Sequence, residues 1–204
     1  MKSDITLKRL RIAVAANELC KTMPFSAMTV DDVCARAGVS RSSFYRAFRD
    51  KYDIAVWYQD FPLQAGIGEM GRTLTCAQAT RATIEGFNVL IDLYNAMKSQ
   101  TETPHREDVS RLKARALMEE TVAVYHHVPI DRQLSMQIEW SVCAHTHMMI
   151  DFAQGKIDAP VDEFARDVAS CFPARLRAIL DAPVEPRDEA RPFAPDFLTG
   201  LLAS

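Results

Sequence analysis

Residues 25–54 read FSAMTVDDVCARAGVSRSSFYRAFRDKYDI, and this stretch decides the fold. Thr29 is a good helix N-cap, and Asp32 at the third helical position opposes the helix dipole. Val30, Val33 and Ala37 give a short apolar face, and Gly38 ends the helix where a left-handed residue is needed. Val39 tucks under the turn. Ser40 caps a second helix, whose Phe44 and Phe48 lie four apart on one side. Arg41, Ser42, Ser43, Tyr45 and Arg46 are left facing outward. A helix with an exposed, basic N-terminal half, set at a sharp turn behind a first helix, suits the major groove of DNA.

Charge divides the chain in the same place. Residues 1–51 hold 10 Lys/Arg and 5 Asp/Glu, whereas the rest holds 14 basic and 22 acidic residues. The overall charge of −3 therefore hides a basic head on an acidic body. Such asymmetry favours phosphate contact by the head and discourages wrapping of nucleic acid on the body.

The run Ala37-Gly38-Val39-Ser40, followed by Ser43-Phe44-Tyr45, Phe48 and Lys51, resembles the DNA-binding domain of the TetR/AcrR family of bacterial regulators. The resemblance spans residues 8–60 and includes an upstream helix whose apolar stripe is Ile12, Ala15, Ala16, Leu19 and Cys20. It implies an all-α chain with a three-helix helix-turn-helix domain at 1–50. A helical effector-binding and dimerisation domain follows at 51–182, and then a Pro-rich tail at 183–204. It also implies a homodimer on a palindromic operator in double-stranded DNA. The expected function is a repressor released by a small-molecule effector held in the helical body. Control by a protein partner or a metal ion instead of an organic ligand is the alternative.

Carried over position by position, the family's roles put Thr29 and Ser40 on phosphates. Tyr45 places its hydroxyl on the backbone, and Lys51 pairs with a further phosphate as a point charge. Arg41, Ser42, Ser43 and Arg46 are the candidates for base edges. Ser42 stands where many relatives have glycine, and Ala47 where they have an aromatic residue or histidine. The operator sequence therefore does not transfer.

Past the head the pattern is helical throughout. Asp50 caps a fourth helix with Ile54, Trp57 and Tyr58 on one face, and Pro62 breaks or kinks it. Thr75 with Gln78 forms a capping box that starts a long helix to about Ser99. Thr103-Pro104 opens the next, running through Leu112, Ala116, Leu117 and Val124 toward His127. Segment 132–154 is apolar nearly all round, which calls for burial on more than one side. From Pro160 a second amphipathic helix runs through Phe164, Val168, Phe172, Leu176 and Leu180, kinked near Pro173. Together the two suit a four-helix interface between subunits. The tail reads as extended to Asp196, with Phe197, Leu198, Leu201 and Leu202 forming a last apolar turn.

Candidates for lining an effector pocket are Phe87, Tyr94, Leu117, Tyr125, Trp140, His147 and Met148. Cys143, His147 and Asp151, four apart, share one helix face and carry the metal alternative. No Gly-rich phosphate loop, nucleophile elbow or H-E-x-x-H occurs. The adjacent pairs Asp31/Asp32 and Glu119/Glu120 point in different directions on a helix. We therefore expect no enzyme, no catalytic residue and no cofactor. Hydrophobic content of 48% and charged content of 25% suit a globular protein. No secretory pattern or long apolar run is visible, and the five scattered cysteines suit a reducing, cytoplasmic setting.

Overall fold

The computed structural model describes residues 2–98 and 106–186. In chain order its helices are α1 (Lys2–Cys20), α2 (Val30–Ala37), α3 (Arg41–Ala47), α4 (Lys51–Ala65) and α5 (Cys76–Val89). After these come α6 (Ile91–Lys98), α7 (Arg106–Glu120), α8 (Arg132–Ala153), α9 (Val161–Ser170) and α10 (Ala174–Leu180). A π-helical turn, Thr121–Tyr125, follows α7. Among the described residues the protein is all-α, the one strand-like feature being a single bridge between Met70 and Leu74. None of its described helices is long and apolar enough to cross a membrane. The chain gathers into two compact units. The first, the head, reaches Asp60 and takes in α6; the second, the body, holds Phe61–Asn88 and the described residues from α7 onward.

In the head α1 is the central helix. Ile12, Ala13, Val14, Ala15, Ala16 and Asn17 are buried one after another, because α2, α3 and α6 all pack on α1. The sequence stripe is thus too narrow for this helix: Ala13 and Val14 join the core, while Leu19 and Cys20 are only half-buried. Phe25, Phe44, Phe48, Ile54 and Tyr58 complete the core. Phe48 packs edge-on against Trp57, with ring centroids 5.8 Å apart. Arg9 stacks over Phe48 and donates from Nε to the Ala47 carbonyl at 3.1 Å, closing the end of α3.

Beyond α3 the structure departs from the sequence reading at several points. The long helix expected from Thr75 to Ser99 is two helices that break at Leu90. The cause lies on α1: Asn17 Oδ1 accepts the Leu93 amide at 2.8 Å, a bond that a continuous helix would give to its own preceding turn. α4 in turn runs on through Pro62, which removes one amide but still accepts the Gly66 N–H at 3.0 Å. The face expected on α7 is also displaced. Ala114, Met118 and Val122 are buried, while Leu112 and Val124 are exposed. The segment from Pro160 is likewise two helices, α9 and α10, although all five of its apolar residues are buried as expected. Ser99, Thr103-Pro104 and the tail from residue 187 onward lie outside the described residues.

Arg72 organises the end of α7. Its Nε donates to the Thr121 hydroxyl at 2.9 Å, and Nη2 donates to the Leu117 carbonyl and the Glu120 carboxylate at 3.1 and 2.8 Å. The guanidinium also covers the Tyr125 ring at 4.3 Å. These contacts clasp the π-helical turn, where the His126 amide donates five residues back, to Thr121.

Candidate nucleic-acid interface

The outward row of α3 is assembled by short-range contacts. Thr29 accepts the Asp32 amide at 3.2 Å, while the Asp32 carboxylate accepts the Thr29 amide at 2.8 Å and its hydroxyl at 2.6 Å. This capping box starts α2, and the Thr29 hydroxyl and amide hold the Asp32 carboxyl below its ordinary pKa. Gly38 closes α2 at φ +63°, and the Arg11 guanidinium lies 3.0 Å from where a Cβ would stand. Ser40 then accepts the Ser43 amide at 3.2 Å and starts α3.

From that frame Ser40, Arg41, Ser42, Tyr45 and Arg46 are exposed, and Ser43 is half-buried. Phe44, Ala47 and Phe48 face inward. Arg41 bridges two elements: Nη1 pairs with Asp31 at 2.5 Å, and Nη2 donates to the Tyr45 hydroxyl at 3.4 Å. The Asp31 hydrogen bond and charge hold this guanidinium still more firmly protonated. Arg46 folds along its own helix, donating to the Ser42 carbonyl at 3.3 Å and the Ser43 hydroxyl at 3.2 Å. Two arginines are thus presented on one face with partners that water or phosphate readily replaces.

Lys51 is placed otherwise than expected. Its Nζ donates to the carbonyls of Phe25, Ser26 and Met28 at 2.8, 2.9 and 2.7 Å, and the side chain is half-buried. All three ammonium protons are therefore committed within the protein.

In the body, the residues expected to line a pocket do not converge. Tyr94 belongs to the head unit, while Phe87 and Leu117 are half-buried in the body. Tyr125 lies against Arg72. Trp140, His147 and Met148 stand on exposed positions of α8, with Met136 beside them. Segment 132–154 is thus buried along one side only, by Leu134, Ile138, Val142 and Met149, and leaves Met136 and Trp140 64% and 57% exposed.

Sequence reasoning missed what lies on the buried side. Gln137, Ser141 and His145 follow one another at four-residue spacing. His145 is fully enclosed: Nε2 lies 3.3 Å from the Thr80 hydroxyl, the ring packs edge-on to Phe172, and burial pushes the imidazole down to about 4. Ser141 Oγ and Gln137 Oε1 are buried without a hydrogen-bond partner. Spacing alone does not reveal this, because polar residues in a helix usually mark its wet side.

Cys143, His147 and Asp151 share the exposed side but face separate partners. Cys143 donates to Glu139 at 3.5 Å, His147 Nδ1 lies 3.3 Å from the Cys143 carbonyl, and Asp151 pairs with Lys156 at 2.7 Å. Burial, and then Glu139, push the Cys143 thiol up. Among the described residues no three metal-ligand side chains gather. Of the cysteines, Cys34 and Cys76 are buried and Cys171 is exposed.

Two capped helices joined at a left-handed glycine, the second exposing a polar and basic face, define a helix-turn-helix DNA-binding regulator. Residues 12–56 match the family model of bacterial regulatory proteins, tetR family. The head is thus a tetR-family helix-turn-helix domain, and the protein a DNA-binding transcriptional regulator. No curated protein matches the chain in sequence. Among solved structures it is similar to the dihydroxyacetone kinase operon activator DhaS, with a TM-score of 0.62 over 84% of this chain and 97% of that one. At 11% identity, it is the fold that the two share.

Proposed function

We propose that the protein is a homodimeric, cytoplasmic repressor that sets two α3 helices in successive major grooves of a palindromic operator. A small molecule bound in the body releases it. The outward row on α3 carries this reading. Arg41 and Arg46 sit where base edges come within reach, Ser42 and Ser43 lie between them, and Thr29, Ser40 and Tyr45 flank them toward the phosphates. The dimer is supported by the apolar side of α8, where Met136, Trp140 and Met148 are 64%, 57% and 38% exposed.

The effector reading rests on the buried polar side of α8. Unpaired buried polar atoms cost about 1–3 kcal/mol each, so Ser141 and Gln137 favour a guest that hydrogen-bonds to them. With His145 neutral beside them, that guest is an uncharged molecule with an apolar body. The separate partners of Cys143, His147 and Asp151 favour an organic effector over a metal ion. A second reading, activation, is favoured by the structural neighbour, whose name is that of an operon activator.

Fluorescence anisotropy on DNA from upstream of the protein's own gene, against a scrambled duplex at about 150 mM salt, tests the reading. Selective binding is expected. Arg41→Ala and Arg46→Ala should each change the preferred sequence, at about 1–3 kcal/mol per lost base contact. Equal, sequence-blind losses from both would sink the base-reading assignment. A reporter behind the same DNA separates repression from activation.

A further inference from the structure

Lys51 opens α4 in the position from which the family resemblance sends a point charge to a phosphate. Its surroundings describe a different task. Three carbonyl oxygens, those of Phe25, Ser26 and Met28, lie 2.7–2.9 Å from Nζ, one for each ammonium proton. Among the described residues no backbone amide donates to these three carbonyls, since the amides of Ala27 and Met28 both turn back to Pro24. The ammonium is further enclosed by two aromatic rings, with Nζ 5.1 Å from the centroid of Phe25 and 5.4 Å from that of Tyr52. Those rings meet edge-on at 5.5 Å, so the cage is fixed by packing as well as by hydrogen bonds.

The clasped turn ends at Met28, and the next residue is Thr29, the N-cap of α2. The turn therefore sets where α2 begins, and α2 carries α3 through Gly38. We propose that Lys51 is a positioning residue: its ammonium holds the Phe25–Met28 turn, and with it the start of α2, and makes no phosphate contact. This rests on the DNA-binding reading above and assigns one residue a new part in it. A compact ammonium suits three converging carbonyls, whereas the flat fork of a guanidinium does not. Arginine therefore separates the two roles: it preserves a phosphate contact and fails as a clasp.

The test uses the full-length protein and duplex DNA of arbitrary sequence, titrated between about 50 and 200 mM salt. Wild type, Lys51→Arg and Lys51→Met are compared at a temperature where circular dichroism finds each folded. The expected result is a loss of about tenfold or more for both variants with the salt slope unchanged, because displaced contacts lie elsewhere. Wild-type affinity in Lys51→Arg, with a slope shallower by about 0.9 per head in Lys51→Met, would overturn the proposal. A lower melting point with unaltered DNA affinity would also overturn it, reducing Lys51 to a support of the fold. Should a variant not fold, the wild type still decides. Nitrogen-15 spectra of the lysine ammonium groups should give a slowly exchanging Lys51 signal in the free protein, unmoved by DNA. A signal lost to solvent exchange, or one that shifts on DNA addition, would refute the clasp. If the wild type bound no duplex at all, the DNA-binding reading would fail, and the free-protein spectrum would still report on the clasp.

Discussion

In the head, Thr29 is bonded to Asp32, Ser40 to Ser43 and Asp50 to Asp53, each across three positions of the chain. In the body, the deciding contacts join Thr80 to His145, Arg72 to Thr121 and the Cys76 amide to Asp181, across 65, 49 and 105 positions. Both regions are helical, but their helices are stopped by different agents. Caps and a left-handed glycine bound α2 and α3 in the head. Partners arriving from distant helices shape those of the body. The boundaries of α2 and α3 are therefore set by a few neighbouring residues, whereas those of the body depend on packed partners.

The largest effect that would test this contrast is expected from Gly66→Ala. A Cβ there would overlap the Thr83 hydroxyl and stand 2.6 Å from the Ala79 carbonyl, so α4 and α5 must part. We expect a loss of about 3 kcal/mol in urea unfolding. A neutral outcome would mean that the body is no more tightly interlocked than the head.

Next comes pH. Burial holds His145 down at about 4 against an ordinary 6.5. The unfolded chain thus takes up a proton that the folded body refuses, so stability is complete above pH 6.5 and drains as pH falls toward 4. Between pH 7 and pH 5 the body should lose about 2 kcal/mol by denaturant titration. In His145→Gln that slope should flatten. An unchanged slope in the variant would assign the acid sensitivity to other groups.

Smaller still is the local effect in the head. Thr29→Ala removes the cap of α2 and should cost about 1 kcal/mol, read as a lower melting point. A loss matching that of Gly66→Ala would show that the start of α2 bears as much of the fold as the packing of α4 on α5. The smallest effect belongs to Arg49→Ala. Arg49 is exposed and its amide still donates to Asp53 at 3.0 Å, so stability should change by no more than about half a kcal/mol.

The same contrast explains what the sequence makes legible. Thr29, Gly38, Ser40, Asp50 and Thr75 with Gln78 are punctuation whose mechanism is contained in a few neighbouring residues, and each acts as read. The break at Leu90 is not legible, because the residue that takes the Leu93 amide lies 76 positions earlier. Pro62 misleads for the opposite reason: its local penalty is real, but burial around it carries the helix past. On α8 the aromatic and sulfur residues that suggest a lined pocket stand outside, while Ser141 and His145, polar by type, are inside. Lys51 shows the limit even within the head, since its charge is visible in the sequence and its three carbonyls are not.

The π-helical turn at Thr121–Tyr125 has a consequence for heredity. It adds a residue within a helix rather than in a loop. One codon gained or lost at its start turns the residues of this last turn by about 100° about the helix axis. Val122 would leave the core, and the Thr121 hydroxyl would swing off Arg72. When this chain is aligned with a relative whose seventh helix is regular, the gap belongs inside the helix. An alignment that pushes it into the following loop pairs Val122 with the wrong residue.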